Sequence, residues 1–288
     1  MLEKDILKTM AYYQALGNMP LTLSELSRYM LGKEGNVDIP LFDLQKALNV
    51  LIKQGAVQTK NGFFYIKSAS EQNFYMNRIE NIKTTHKKWK KIIKISKFLI
   101  YIPYIRAIYI TGSVSINNAG EKSDFDILTK TRRNRIWLTR ALTVTISECM
   151  RRRRHTKKTK DKLCFNRFVE QGDVWGPENI NYVIKNRAVL WEQKKINTAN
   201  EFIYSFKASR AVIILKNTLE FILNITGLGL LGEKISGWLQ IQKIERNKIE
   251  YPSHISPLEI KTSNIFFYYP SIINTERKYK KILESIQI

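Results

Sequence analysis

Apolar and polar positions recur along this 288-residue chain with a period that changes from helical to extended several times. Between Asp5 and Leu16 the apolar residues return at helical spacing, and Gly17 ends the run. Thr22-Leu23-Ser24-Glu25 is a capping-box pattern: the threonine hydroxyl accepts from the glutamate amide, and the glutamate carboxylate accepts from the threonine amide. It predicts a second helix to about Leu31. Pro40 can open a third, in which Leu41, Leu44, Leu48, Leu51 and Ile52 share one face and Gly55 stops the run. Ala56–Lys60 and Phe63–Lys67 then flank Asn61-Gly62, the signature of a two-residue hairpin.

Three helices followed by a hairpin predict a winged helix-turn-helix over residues 1–67. A long basic connecting helix is expected over 68–97, running from about Glu71 to Lys97. Tyr75, Ile79, Ile82, Trp89 and Ile93 form its expected buried stripe, while Lys87, Lys88, Lys90, Lys91, Lys94 and Lys97 read as a solvated face. Pro103 breaks the pattern. From Arg106 the period becomes that of strands. Ile108–Thr111 and Phe125–Leu128 flank a Gly-Ser turn, a helix follows near Asn134–Met150, and Leu163–Val169 reads as a further strand. Residues 98–195 are therefore expected to form a mixed α/β unit, and 196–288 a helical region. There Ala211–Leu223 is strongly apolar, and Gly227, Gly229 and Gly232 mark a turn. The stretch 211–231, interrupted by Lys216 and Glu220, reads as a packed helix rather than an anchor. The fold class expected for the whole chain is α+β.

Charge narrows the partners. The chain carries 48 Lys plus Arg against 25 Asp plus Glu, a formal net charge of +23. Residues 68–162 hold +16 of it, against +2 for 1–67 and +5 for 163–288. A field so concentrated gathers phosphates, so RNA or DNA is a candidate partner for the basic middle of the chain. The densest tract is Arg151-Arg152-Arg153-Arg154-His155, with Lys157, Lys158, Lys160 and Lys162. It reads equally as a holder of nucleic-acid backbone or donor triphosphate and as a solvated connector.

Other classes are set aside. Cys149 and Cys164 cannot make a disulfide framework and sit in no zinc spacing, which points to a reducing compartment. No signal-peptide core opens the chain, and the uncharged stretch 221–232 falls well short of the about 20 residues a spanning helix needs. A cytoplasmic protein without integral membrane contact is expected. His86, His155 and His254 are scattered, and the five tryptophans read as core or interface residues.

Candidate chemistry lies in Thr111-Gly112-Ser113 and, eleven residues on from Ser113, Asp124-Phe125-Asp126. Alternate residues of a strand share a face, so two carboxylates so spaced can converge on divalent cations. Gly112 would let the backbone approach a triphosphate, and Ser113 would add a hydroxyl donor. Magnesium suits such a site, because it takes few carboxylates together with substrate phosphate oxygens and water.

This arrangement resembles the nucleotidyltransferase superfamily typified by DNA polymerase β, in particular its small bacterial members. The resemblance rests on the strand Ile108–Thr111, on Gly112 and Ser113, and on Ser123 ahead of Asp124 and Asp126. It implies a nucleotidyltransferase-fold mixed sheet over 98–195 and catalytic, metal-binding roles for Asp124 and Asp126. Gly112, Ser113 and Ser123 would contact the nucleotide. It further implies Mg2+, a nucleoside triphosphate donor, and nucleotidyl transfer to a hydroxyl acceptor. The superfamily usually adds a third carboxylate from a later strand. Here that strand carries Asn166 in its middle, with Glu170 at its end and Asp161 before it. Alternation would place Cys164, Asn166 and Phe168 on one face. Two other classes stand beside the enzyme: a nucleic-acid-binding regulator with an impaired nucleotidyltransferase fold, and a peripheral membrane protein held by its lysine-rich helix.

Overall fold

The computed structural model describes residues 2–30, 39–66, 74–155, 158–172, 188–193, 205–250, 259–261, 264–266 and 270–286. The architecture is mixed α+β in two units, Met1–Lys83 with Pro270–Ile288, and Thr84–Tyr269.

In the first unit, α1 (Leu2–Gly17) leads through β1 (Leu21–Thr22) into α2 (Leu23–Tyr29) and α3 (Leu41–Lys53). The hairpin of β2 (Val57–Lys60) and β3 (Phe63–Ile66) follows, and the antiparallel sheet has the order β1-β3-β2. The capping box is present. Glu25 N donates to Thr22 Oγ1 at 3.3 Å, and Thr22 N donates to Glu25 Oε2 at 3.0 Å. The hairpin turn has φ of +50° at Asn61 and +80° at Gly62, the left-handed pair that an Asn-Gly turn supplies at low cost. Leu44, Leu48 and Leu51 are buried with Ile6, Met10 and Leu26. Leu41 departs from the expected apolar face and is exposed, because it is the first residue of α3, ahead of the turns that meet the core. The expected end of α2 at Leu31 lies outside the described residues.

Helix α4 (Phe74–Ser96) carries the chain from the first unit to the second. Its first half buries Phe74 and Arg78, and the Arg78 guanidinium pairs with Glu25, the carboxylate that completes the capping box of α2. Its second half buries Thr85, Lys88, Trp89, Ile92 and Ile95. The stripe is thus rotated from the one expected, with Tyr75, Ile79 and Ile82 only half-buried. Lys88, expected on the solvated face, is inside.

A short 3-10 turn, Lys97–Tyr101, leads to β4 (Ile105–Thr111), the one-turn α5 (Gly112–Ser115) and β5 (Phe125–Thr131). Helix α6 (Ile136–Cys149) connects β5 to β6 (Leu163–Glu170), which runs parallel to β5. Then come β7 (Ala188–Glu192), α7 (Arg210–Ile225), α8 (Leu228–Glu250), β8 (Glu259–Lys261) and β9 (Asn264–Phe266). The sheet order is β7-β4-β5-β6-β9-β8, and every neighbouring pair but β5/β6 is antiparallel. The C-terminal region is therefore not wholly helical, since β8 and β9 extend the sheet. One sheet face carries the main core, where Ile108, Ile110, Phe125, Ile127, Phe165 and Phe168 meet Trp89 and Ile92 of α4. The last helix, α9 (Pro270–Ser285), belongs to the first unit, where Tyr279 stands edge-on to Tyr12 at 5.9 Å between ring centroids.

Candidate functional site

The antiparallel register of β4 and β5 sets Thr111 opposite Asp126, so the chain leaves β4 at Gly112 directly beside that aspartate. Gly112 has φ +66°, and a Cβ built on it would lie 3.1 Å from Asp126 Cγ and collide with Oδ2. Only a residue without a side chain fits here, on backbone and on steric grounds together. In the parallel register, Asp126 faces Cys164 of β6. Asp124 precedes the first residue of β5. One ligand atom from each of Asp124, Asp126 and Cys164 can be chosen so that all lie within 4.8 Å of one another. The two aspartates are half-buried and the thiol is buried.

The loop that presents Asp124 is fastened from below by α4. Lys88 Nζ donates to the carbonyls of Glu121 (3.0 Å) and Ser123 (2.8 Å) and to Asp161 Oδ1 (2.8 Å). Lys91 holds the other oxygen of Asp161 at 2.6 Å, and Thr85 Oγ1 accepts from Ala119 N at 2.9 Å. Burial alone would raise the Asp161 carboxyl, but the hydrogen bonds from Lys88 and Lys91 outweigh it and hold the group below its ordinary value. Ser123 is thereby a backbone anchor, receiving both Lys88 and Asp161 N on its carbonyl. Ser113, in α5, is half-buried and accepts from Asn118 N on its carbonyl.

Electrostatics single out Asp126. Burial, and then the negative charge of Asp124, push Asp126 up to about 7, against the pull of Arg154 and of the Cys164 thiol. Arg154 Nη1 lies 3.0 Å from Asp124 Oδ2 and 3.5 Å from Cys164 Sγ. The Asp124 Oδ2 atom is buried and, among the described residues, has no hydrogen bond of good geometry. An acceptor so placed, beside a second carboxylate, suits a divalent cation.

Arg154 reaches this place because the basic tract is tied to β6. Arg152 N and Arg153 N donate to Ser147 O, Leu163 N donates to Arg152 O, and Arg154 N donates to Leu163 O. Arg151 and Arg152 keep exposed side chains. Lys157 lies outside the described residues.

The position expected for a third carboxylate is changed by a bulge. Between Asp126/Cys164 and Leu128/Arg167 the β6 strand carries one extra residue, so its side-chain alternation shifts. Leu163, Phe165 and Phe168 all enter the main core, which corrects the expectation that Cys164, Asn166 and Phe168 share a face. The side chain of Asn166 lies outside the described residues. Glu170 is opposite Thr131, at the far end of β5 from Asp126, and accepts from Asn134 N at 2.9 Å. Asp161 is held by the two lysines. On the β6 side the residue facing Asp126 is Cys164. Sequence reasoning also passed over Lys88 and Arg154 as individuals, since each sits within a run of like charges.

Comparison of the chain with protein-family models, with curated proteins and with solved structures finds no match. Among the described residues, no single helix is long and apolar enough to cross a membrane.

Proposed function

We propose that this chain is a magnesium-dependent nucleotidyltransferase that moves a nucleoside monophosphate from a nucleoside triphosphate to a hydroxyl acceptor. The observation that carries the reading is the seating of the Asp126 carboxylate over side-chain-free Gly112, with Asp124 alongside. Order and spacing of these residues support the resemblance to the polymerase-β-like superfamily. The sequence of helix, strand, two helices and hairpin supports a winged helix for the first unit.

Asp124 and Asp126 would hold Mg2+, a hard cation that prefers their oxygens to the Cys164 sulfur. When bound, it would supply charge neutralisation at the phosphate oxygens. Gly112 and Ser113, which follow β4, and Ser123, next in sequence before Asp124, would contact the nucleotide. Arg154, beside Asp124, would offer its guanidinium to phosphate, a fork-shaped donor suited to that oxygen geometry.

A second reading is favoured by a specific observation. Arg154 already neutralises Asp124, and among the described residues the group facing Asp126 is a thiol rather than a third carboxylate. These fit a nucleic-acid-binding regulator whose site binds nucleotide without transfer.

Incubation with each α-labelled nucleoside triphosphate and Mg2+, alone and with added RNA, separates the two. Covalent transfer of label with pyrophosphate release is expected for the enzyme. Salt-sensitive nucleic-acid binding without transfer would establish the regulator instead.

A further inference from the structure

Helix α7 is built inside out. Its two charged residues within 211–225, Lys216 and Glu220, are 3% and 4% exposed, while Phe221 and Ile225 on the same helix are 64% and 70% exposed. The charges are consumed inward. Lys216 Nζ donates to Ile105 O and stands 4.8 Å from the centre of the Trp191 ring. Glu220 takes Arg106 Nη1 at 2.8 Å and Tyr104 N at 2.6 Å. A helix docked by its polar stripe must turn its apolar stripe outward.

Helix α8 continues the pattern by another device. Gly232 and Gly237 face α6 so closely that a Cβ on either would lie 3.2 Å from Leu138 Cδ1 and Trp137 Cδ1 respectively. Small residues take the inner face, and Leu228, Leu231, Ile235, Trp238 and Leu239 are left outside. Glu233 also points inward, accepting from Trp137 N and Leu138 N. From 211 to 232 the exposed surface of the helix pair carries no charge. Such a face is too large and too continuous for scattered surface apolarity.

The stretch 211–231, expected as one packed helix, forms α7 and the start of α8, and α7 packs through its polar groups. We infer that the α7–α8 elbow is a membrane-docking surface that lies in the interface of an anionic lipid bilayer. Three observations select this occupant. The elbow is bent by 84°, and neither arm alone is long and apolar enough to span, which suits insertion from one side. Exposed basic residues outnumber acidic ones around the uncharged face: Lys207 and Arg210 before it, Lys234, Lys243 and Arg246 after it, against Glu245, with exposed Trp238 among them. The chain bears +23, so an anionic surface attracts it whereas a second copy repels it. Beneath the elbow lies an apolar cavity of ≈ 480 Å³ walled by Phe98, Tyr101, Leu138, Leu142, Leu219 and Leu228, the last two also exposed, where an acyl chain can enter. The inference stands apart from the catalytic reading.

The test is sedimentation of the full chain with phosphatidylglycerol-containing vesicles and with pure phosphatidylcholine vesicles. Binding to the anionic vesicles, weaker with added salt, is expected, and Phe221→Asp with Ile225→Asp should weaken it at least tenfold at unchanged circular dichroism. Brominated acyl chains should quench wild-type tryptophan fluorescence and quench Trp238→Phe less, a readout that does not depend on the double variant folding. Absence of vesicle binding by the wild-type chain overturns the inference. So does a wild-type dimer that the double variant turns into monomer while lipid binding stays unchanged.

Discussion

The carboxylate of Asp126 occupies the space that a side chain at Gly112 would need, with Cγ 3.1 Å from a Cβ built there. Gly112→Ala must therefore push the carboxylate aside and also hold an L-residue at φ +66°. The backbone term alone costs about 1–2 kcal/mol. The expected outcome is a lower melting temperature together with weakened Mg2+-dependent nucleotide binding. Thermal unfolding and calorimetry of the same preparation check both.

Arg154, paired with Asp124, would compete with a cation for that carboxylate. Because this ion pair is partly exposed, its strength is at most about 1 kcal/mol. Arg154→Gln should raise the affinity for Mn2+ or Mg2+ without nucleotide, by up to about fivefold. The same change should lower affinity for the triphosphate, because a phosphate donor is lost. Metal titration with and without a non-hydrolysable triphosphate reads the two opposite effects.

How much of this could be read from the sequence follows the range of the forces involved. The Thr22–Glu25 cap and the Asn61-Gly62 hairpin depend on residues a few positions apart, and their patterns state them fully. Gly112, Asp124 and Asp126 come together because two neighbouring strands fix their register. Lys88 was not legible: it is buried because two loop carbonyls and Asp161 wait beneath α4, and no period along the helix encodes them. Cys164 stands opposite Asp126 in the regular register ahead of the bulge, a pairing between strands far apart in sequence, while Phe165 and Phe168 gained their common core from a bulge that alternation cannot foresee. In α7 the apolar period was plain, but it does not say which face turns inward. Buried partners at Arg106 and Tyr104 decided that.

The anchoring of the Asp124 loop has an acid limit. Asp161 is held below its ordinary value of 3.8, since its bonds to Lys88 and Lys91 overcome burial. A carboxyl depressed in the fold adds stability that is present above its unfolded value and is lost as pH falls through its folded value. Unfolding free energy should thus be flat in this contribution at neutral pH and decline below about pH 4. Asp161→Asn should flatten that acid limb and lower stability at pH 7. It also leaves buried Lys88 without its counter-charge, a loss of about 3 kcal/mol. Urea unfolding from pH 3 to pH 7 checks the sign and the size.

The most direct measurement of the catalytic reading is calorimetric titration of a nucleoside triphosphate into the wild-type chain, Asp124→Asn and Asp126→Asn, each with Mg2+ and with EDTA. The account predicts binding by the wild type that needs Mg2+, and a loss of about tenfold or more in either variant at unchanged melting temperature. Equal affinity of all three proteins, or wild-type affinity indifferent to EDTA, would contradict it.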